Sequence, residues 1–329
     1  MKRILNTFFM LSILVILMAL PAGISIAQDD PDYLMTAQAC VSDVQVLLSA
    51  GADCDCDDDY EKLTAIYSKV IKLDPQCVKA YYERGLVLYN FGDYEQARDS
   101  FDSVIELNPL YVHVYINRGL TYYYQGDYEQ ALIDFDYAIE LDEFNAEAYT
   151  DRGLSYYYMG DYELALDAFD RALEIDSEYQ WAYSGLGAVY FELGEYDTAL
   201  DNYNYAIEID PLFASAYSGR GTAYHKLEKY ELAIEDYDYS IMLDPEYSWP
   251  YYNRGLSYSA LGDNELALSD YNRGIELNPQ HANSFWIRGN VHYDLGNYKE
   301  SIADYREYER LTGYFEPFMI ERLAEMEAP

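Results

Sequence analysis

Histidine is scarce in this chain, with four among 329 residues, and bases are few, 21 lysines and arginines against 59 aspartates and glutamates. The sequence holds no Gly-x-Ser-x-Gly turn, no phosphate-cradling glycine loop and no His-Glu-x-x-His pair. Catalysis is therefore not expected, and no cofactor or metal is implied. The formal charge of −38 repels a phosphate backbone, which excludes nucleic acid as a natural partner. It leaves a strongly solvated surface, or attraction for basic segments. Long apolar runs are also lacking: the one from Phe8 to Leu20, broken by Ser12, is short for a membrane span.

That run follows Lys2 and Arg3 and precedes Pro21, Gly23 and the small residues Ser25 and Ala27. The pattern predicts a signal peptide over 1–27, cleaved after Ala27, and a secreted, periplasmic or cell-surface protein. A retained anchor is the competing reading, and the only membrane association expected. Without residues 1–27 the chain carries 59 acids against 19 bases, a net −40.

Cysteine is confined to Cys40, Cys54, Cys56 and Cys77, within 38 residues. Outside the cytosol an even, clustered set favours disulfides. A Cys54–Cys56 ring is cramped, so either remaining pairing ties Cys40 and Cys77 to the central two. The stretch DCDCDDD offers carboxylates to a metal, but lacks the glycine and closing glutamate of a calcium loop.

What the chain has in abundance is periodicity. Gly85, Gly119, Gly153, Gly187, Gly221, Gly255 and Gly289 stand 34 residues apart. Each sits in an apolar stripe, followed by a turn such as Gly-Asp-Tyr, a second stripe, and Asp or Asn, often before Pro. This predicts two helices per unit. Gly92, Gly126, Gly160, Gly194, Gly262 and Gly296 suit the left-handed end of the first helix. Asp93, Asp127, Asp161 and Asp263 suit the N-cap of the second. The mid-helix glycines are expected to admit the facing helix, with Ala97, Ala131, Ala165, Ala199, Ala233 and Ala267 as the matching small surface. Most of the 40 tyrosines repeat in register and are expected in the core. Arg118, Arg220, Arg254 and Arg288 precede Asp134, Asp236, Asp270 and Asp304 by sixteen residues, which predicts a structural ion pair inside each unit.

The segments "AYYERGLVLYNFGDYEQARDSFDSVIELNP" and "PYYNRGLSYSALGDNELALSDYNRGIELNP" carry a resemblance to the tetratricopeptide repeat family, in its Arg-Gly form. The resemblance covers 78–315 as seven full repeats. A degenerate repeat with the cysteines (28–77) precedes them, and a capping helix (316–329) follows. The fold expected is all-α, a right-handed α-solenoid of 34-residue helix-turn-helix repeats.

The resemblance implies a concave surface lined by the first helix of each repeat, at positions 2, 5, 9, 12 and 13. Tyr82, Tyr89, Tyr123, Tyr124, Tyr157 and Tyr158 fall at these positions. So do Phe191, Tyr252, Tyr293 and the three tryptophans, Trp181, Trp249 and Trp286. Ser184 and Ser218, with Gly185 and Gly219, suggest a small-residue floor between aromatic walls. Some relatives grip a peptide's terminal carboxylate with a lysine at position 5; here Tyr82, Ile116, Thr150, Ser184, Ser218, Tyr252 and Trp286 stand there, so that grip is absent. The expected function is non-catalytic binding of a protein or peptide, basic or aromatic-rich, in an aromatic and acidic groove. A cell-envelope polysaccharide-binding module is the alternative, and a structural spacer without specific ligand the second.

Overall fold

The computed structural model describes residues 59–314 and 317–326. The signal segment, Cys40, Cys54 and Cys56 lie outside the described residues; Cys77 is buried, at 4% exposure, where the first full repeat begins. The described chain is all-helical. A leading helix, α1 (Asp59–Leu73), precedes α2 (Val78–Asn90) and α3 (Tyr94–Leu107). Six more pairs follow: α4 (Val112–Tyr124) and α5 (Tyr128–Leu141), α6 (Ala146–Met159) and α7 (Tyr162–Ile175), α8 (Gln180–Glu192) and α9 (Tyr196–Ile209). The last are α10 (Ala214–Lys226) and α11 (Tyr230–Leu243), α12 (Ser248–Leu261) and α13 (Asn264–Leu277), and α14 (Ala282–Asp294) and α15 (Tyr298–Thr312), before a final α16 (Pro317–Met326).

The chain divides into two compact units between Val114 and Tyr115, inside the repeat run rather than at its edge. In the second unit, consecutive helices from α5 to α15 pack on one another, and α6, α8, α10 and α12 also touch their neighbours in that series directly. This is an α-solenoid of helix-turn-helix repeats, with the first helices side by side on one face.

Local chemistry accounts for the turns. Gly92, Gly126, Gly160, Gly194, Gly262 and Gly296 all have φ between 76° and 87°, where a side chain is strained. Where the series carries Glu228 instead, that residue takes φ 57°. Asp93 and Asp127 accept the amides of Gln96 and Gln130. Asp161 and Asp263 occupy the same N-cap place without that bond.

At the mid-helix glycines the nearest neighbour is an aromatic ring of the second helix. A Cβ on Gly119 would lie 2.6 Å from the Phe135 ring, and one on Gly255 2.6 Å from the Tyr271 ring. The ring atoms stand nearest to the space the glycine leaves, and the alanines are wholly buried as well. Phe101, Phe135, Phe169, Tyr237, Tyr271 and Tyr305 are wholly buried this way, each worth about 1.5–3 kcal/mol. Tyr237 and Tyr305 place their hydroxyls on Thr222 Oγ1 and Asn290 Oδ1 at 3.3 and 2.7 Å.

The ion pairs form as spaced. Arg118, Arg220, Arg254 and Arg288 each bond both oxygens of the aspartate sixteen residues on, at 2.5–2.9 Å. The guanidinium also reaches back sixteen residues, Arg220 to Asn204 and Arg288 to Asn272 at 2.7 and 2.6 Å, and Arg254 to Asp238. Arg220, Arg254 and Arg288 thus each stitch two second helices across their own first helix. Arg152 departs from this. Ala168 stands where its aspartate would be, so it holds only Asp136 at 3.3 Å and leaves Nε buried without a partner.

At the end of the second unit, α16 lays the buried Met319 against Phe285, Tyr305 and Tyr308, with Phe318, Leu323 and Met326 partly buried beside it. Arg322 continues the 34-residue arginine series. Its guanidinium turns to Asn290 Oδ1 and the Tyr305 hydroxyl at 2.8 and 3.0 Å, over the Tyr293 ring.

Candidate binding surface

The aromatic residues expected to line the surface divide by what they touch. Position 12 rings pair inside their own repeat with the tyrosine that opens the second helix: Tyr89 with Tyr94, Tyr157 with Tyr162, Phe191 with Tyr196 and Tyr293 with Tyr298, at 5.5–6.0 Å between centroids. Tyr123 does the same with Tyr128 at 5.7 Å. Their apolar faces are partly spent on the helix turn, and all five are half-buried.

One group goes further. Tyr158 stacks on Tyr128 at 5.6 Å and 14° and meets Tyr123 edge-on at 5.6 Å. Tyr123 and Tyr157 in turn touch their exposed neighbours, Tyr124 and Tyr158, at 5.2 and 5.1 Å. Tyr124 and Tyr158 are each 57% exposed, so the cluster presents rings to solvent where helices α4 and α6 end. The Tyr157 hydroxyl donates to Glu192 Oε1 at 3.5 Å, which brings a carboxylate to its edge. Burial, then Tyr158, raises the Tyr123 phenol far above its ordinary value; burial, then Glu192, does so for Tyr157. Both remain hydrogen-bond donors at any physiological pH.

The tryptophans do not join this cluster. Trp181, 48% exposed, meets the Phe213 ring at 4.4 Å. Trp249, 49% exposed, stands edge-on to His281 at 5.0 Å and near Tyr252 at 5.9 Å. Burial pushes the Tyr252 phenol up to about 12. Burial also lowers the His281 imidazole, so it adds no charge there at neutral pH. In the first unit, Tyr82 lies 4.9 Å from Tyr111.

Three expected surface residues are corrected. Ser218 is 4% exposed and belongs to the packing; Gly185 and Gly219 face the Phe169 and Tyr203 rings, so the small-residue floor is filled by the protein's own core. Ser184 beside them is half-buried. Trp286 and Tyr293 are covered by α16: Trp286 meets Phe318 at 6.1 Å, and the Tyr293 hydroxyl donates to Glu325 at 2.6 Å.

Positional reasoning missed a polar group on α6. Thr150 Oγ1 and Asp151 Oδ2 are both buried without a hydrogen-bond partner, and Glu147 stands one turn earlier. Burial, then Glu147, raises the Asp151 carboxyl well above the usual carboxylate range. The Tyr179 phenol is raised by burial, then by Glu147 and Asp151. The signal was present: at the equivalent position the other repeats carry Glu83, Asn117, two glycines, Asn253 and Ile287, and Asp151 is the one aspartate. Among the described residues no group of His, Cys, Asp and Glu could hold a metal ion.

Family models match most of the repeat run. One described as "Tetratricopeptide repeat" matches residues 78–111, 113–145 and 214–247, and a second of the same description matches 252–314. A "TPR repeat" model matches 153–194 and 187–228. No curated protein matches the chain in sequence. Among solved structures, the chain is similar to one in the APC/C hetero-tetramer Cut9-Hcn1, at 16% identity and TM-score 0.66 over 82% of this chain and 52% of that one. It thus spans about half the length of that neighbour. A tetratricopeptide repeat protein from Parabacteroides merdae is similar at 21% identity and TM-score 0.55, over 76% and 98% of the two chains. Pseudomonas aeruginosa pilF is similar at 20% identity and TM-score 0.55, over 65% and 97%. At these identities the likeness is one of fold.

Proposed function

Because the chain belongs to the tetratricopeptide repeat family, we propose that it is an exported, non-catalytic scaffold that binds a protein or peptide on the face formed by its first helices. Repeat arrays of this kind expose a surface whose specificity comes from side chains at equivalent positions. The observation that carries the reading is the cluster of Tyr123, Tyr124, Tyr157 and Tyr158, with half-open rings and Glu192 at its edge. Exposed aromatic surface of this sort marks recognition. On a chain of formal charge −38 the segment it suits best is basic or aromatic-rich, held by ring stacking and cation–π contact. Export rests on the amino-terminal sequence alone.

The test is a pull-down from native extract with the mature chain, against a Tyr124→Ala/Tyr158→Ala variant, followed by a salt titration of the captured partner. A reproducible protein partner lost in the variant is expected. Equal capture by both forms would refute a role for the cluster, and no reproducible capture would favour a spacer. The stacked Tyr128–Tyr158 pair also suits a sugar ring. A neutral polysaccharide would bind with little dependence on salt, unlike a basic segment.

A further inference from the structure

Phenols are among the side chains most easily oxidised by one electron, and two phenoxyl radicals held together couple through the ring carbons beside their oxygens. Whether a given pair couples depends on how the rings face each other and on access for the oxidant. The cluster where α4 and α6 end meets both conditions. Tyr158 lies on Tyr128 at 5.6 Å between centroids and 14° between planes, an offset stack in which the ring edges meet. More than half of Tyr158 is open to solvent, as is Tyr124.

The neighbouring rings gather oxidation toward this pair. Tyr158 touches Tyr123, Tyr128 and Tyr157 at 5.1–5.6 Å, and Tyr123 touches Tyr124 at 5.2 Å. A neutral phenol gives up its proton with its electron, so a base at the hydroxyl eases the step. The Tyr157 hydroxyl donates to Glu192 Oε1 at 3.5 Å, which supplies one. A radical formed on Tyr157 or Tyr124 passes between touching phenols to Tyr158. The contacts differ in what they allow next. Those of Tyr123 with Tyr124, Tyr123 with Tyr158 and Tyr157 with Tyr158 are edge-on, at 76–88°, and aim one ring's edge at the other's face. The near-parallel Tyr128–Tyr158 stack instead sets edge beside edge.

We propose that Tyr128 and Tyr158 are an oxidative cross-linking site, joined as dityrosine by a peroxide and a haem peroxidase acting as one-electron oxidant. Each phenol loses one electron and one proton. The two radicals then form a carbon–carbon bond, and the hydrogens on the joined carbons move back to the oxygens. The two electrons and two protons removed reduce hydrogen peroxide to two waters. Holding the rings in contact makes the coupling intramolecular. The bond ties Tyr128 at the start of α5 to Tyr158 near the end of α6, across the interface between consecutive repeats. In an array stabilised by neighbour contacts, such a tie strengthens the boundary it crosses. The inference does not depend on the cluster's binding a segment.

The test treats the dilute mature chain with hydrogen peroxide and a haem peroxidase. Trypsin cuts after Arg152 and so places the two tyrosines in separate peptides. Mass spectrometry is expected to find those peptides joined with loss of two hydrogens, with fragments locating the link at Tyr128 and Tyr158. The linked chain should melt at a higher temperature than the untreated one, as a cross-link restricts the unfolded state. Tyr158→Phe and Tyr128→Phe keep a ring in place and should each lose the link and the gain in melting temperature, whereas Tyr124→Phe should keep both. Tyr217 and Tyr239 stack at 5.5 Å and 19° outside the cluster and serve as internal comparison, with a lower yield expected. No joined peptides, coupling only between chains, or a link undiminished in Tyr158→Phe overturns the site. Equal yield at Tyr217 and Tyr239 overturns the part given to the surrounding rings.

Discussion

A Cβ at Gly119 would come within 2.6 Å of Phe135 Cε1, whereas one at Gly126 meets nothing within 4 Å but sits at φ +80°. The two glycines are thus required for different reasons. Gly119→Ala gains up to about 1 kcal/mol of helix propensity, yet must displace a fully buried ring, at about 1–3 kcal/mol. Gly126→Ala has only the left-handed backbone to resist it, about 1 kcal/mol. Urea melts should therefore rank Gly119→Ala as the more damaging, and a neutral or stabilising result there would contradict the packing. Asp151 gives a prediction with a pH signature. An unfolded aspartate loses its proton near pH 3.9, and folded Asp151 loses its own only at higher pH. Between the two values the unfolded chain binds fewer protons, so this group's contribution to stability falls as pH rises. Asp151→Asn should raise the melting temperature at pH 7, and the gain should fade toward pH 3, where both states are protonated. A gain of equal size at both pH values would mean that charge is not the cause. Glu147 adds to the shift of Asp151, so Glu147→Gln is the control for its share.

Between helices, one offset explains most of what holds a repeat together. Sixteen residues separate Arg118 from Asp134 and Gly119 from Phe135, so one crossing of first on second helix carries both an ion pair and a buried ring. The ion pair was legible because opposite charges at fixed spacing name their own partners. The glycine's partner was not: Ala131 and Phe135 recur with the same period, and periodicity says which positions are equivalent without saying which rows touch. The backward contacts to Asn204, Asp238 and Asn272 were equally periodic, but lie across a repeat boundary. Equivalence also breaks beside α16, which is why Trp286 and Tyr293 read as open surface and yet contact that helix. The repeat of Gly153 offers a direct test. Arg254 already takes Asp238 and Asp270 together, so Arg152 with Asp136 can accept a second acid. Ala168→Asp should bond the orphaned Nε and stabilise by about 1 kcal/mol or more, a charge-assisted bond of average strength. In an Arg152→Leu background, leucine being the residue that Leu186 places at this position in the next repeat, the same substitution buries an unpaired acid and should destabilise. A double-mutant cycle of thermal melts reads the coupling; additive effects would refute the ladder.

On the scale of the whole chain, charge sets two trends of opposite sign. Fifty-nine acids against 21 bases leave a formal −38, and many of those acids, among them Glu95, Glu129, Glu163 and Glu231, lie exposed on second helices. Their mutual repulsion opposes the compact state and acts over a Debye length, about 30 Å at 0.01 M salt and 3 Å at 1 M. The arginine–aspartate pairs escape much of that screening, since their carboxylates are 3–7% exposed. Added sodium chloride therefore weakens the repulsion more than the ladder, and the melting temperature should rise between roughly 10 and 300 mM salt. Binding of a basic segment should weaken over the same range, because the attraction that draws it in is screened too. The opposed slopes matter for interpretation: affinity lost while stability grows cannot be blamed on unfolding. A melting temperature that falls with salt would show that exposed ion pairs outweigh the repulsion. Affinity that holds steady while stability rises would move the partner from basic peptide to neutral sugar.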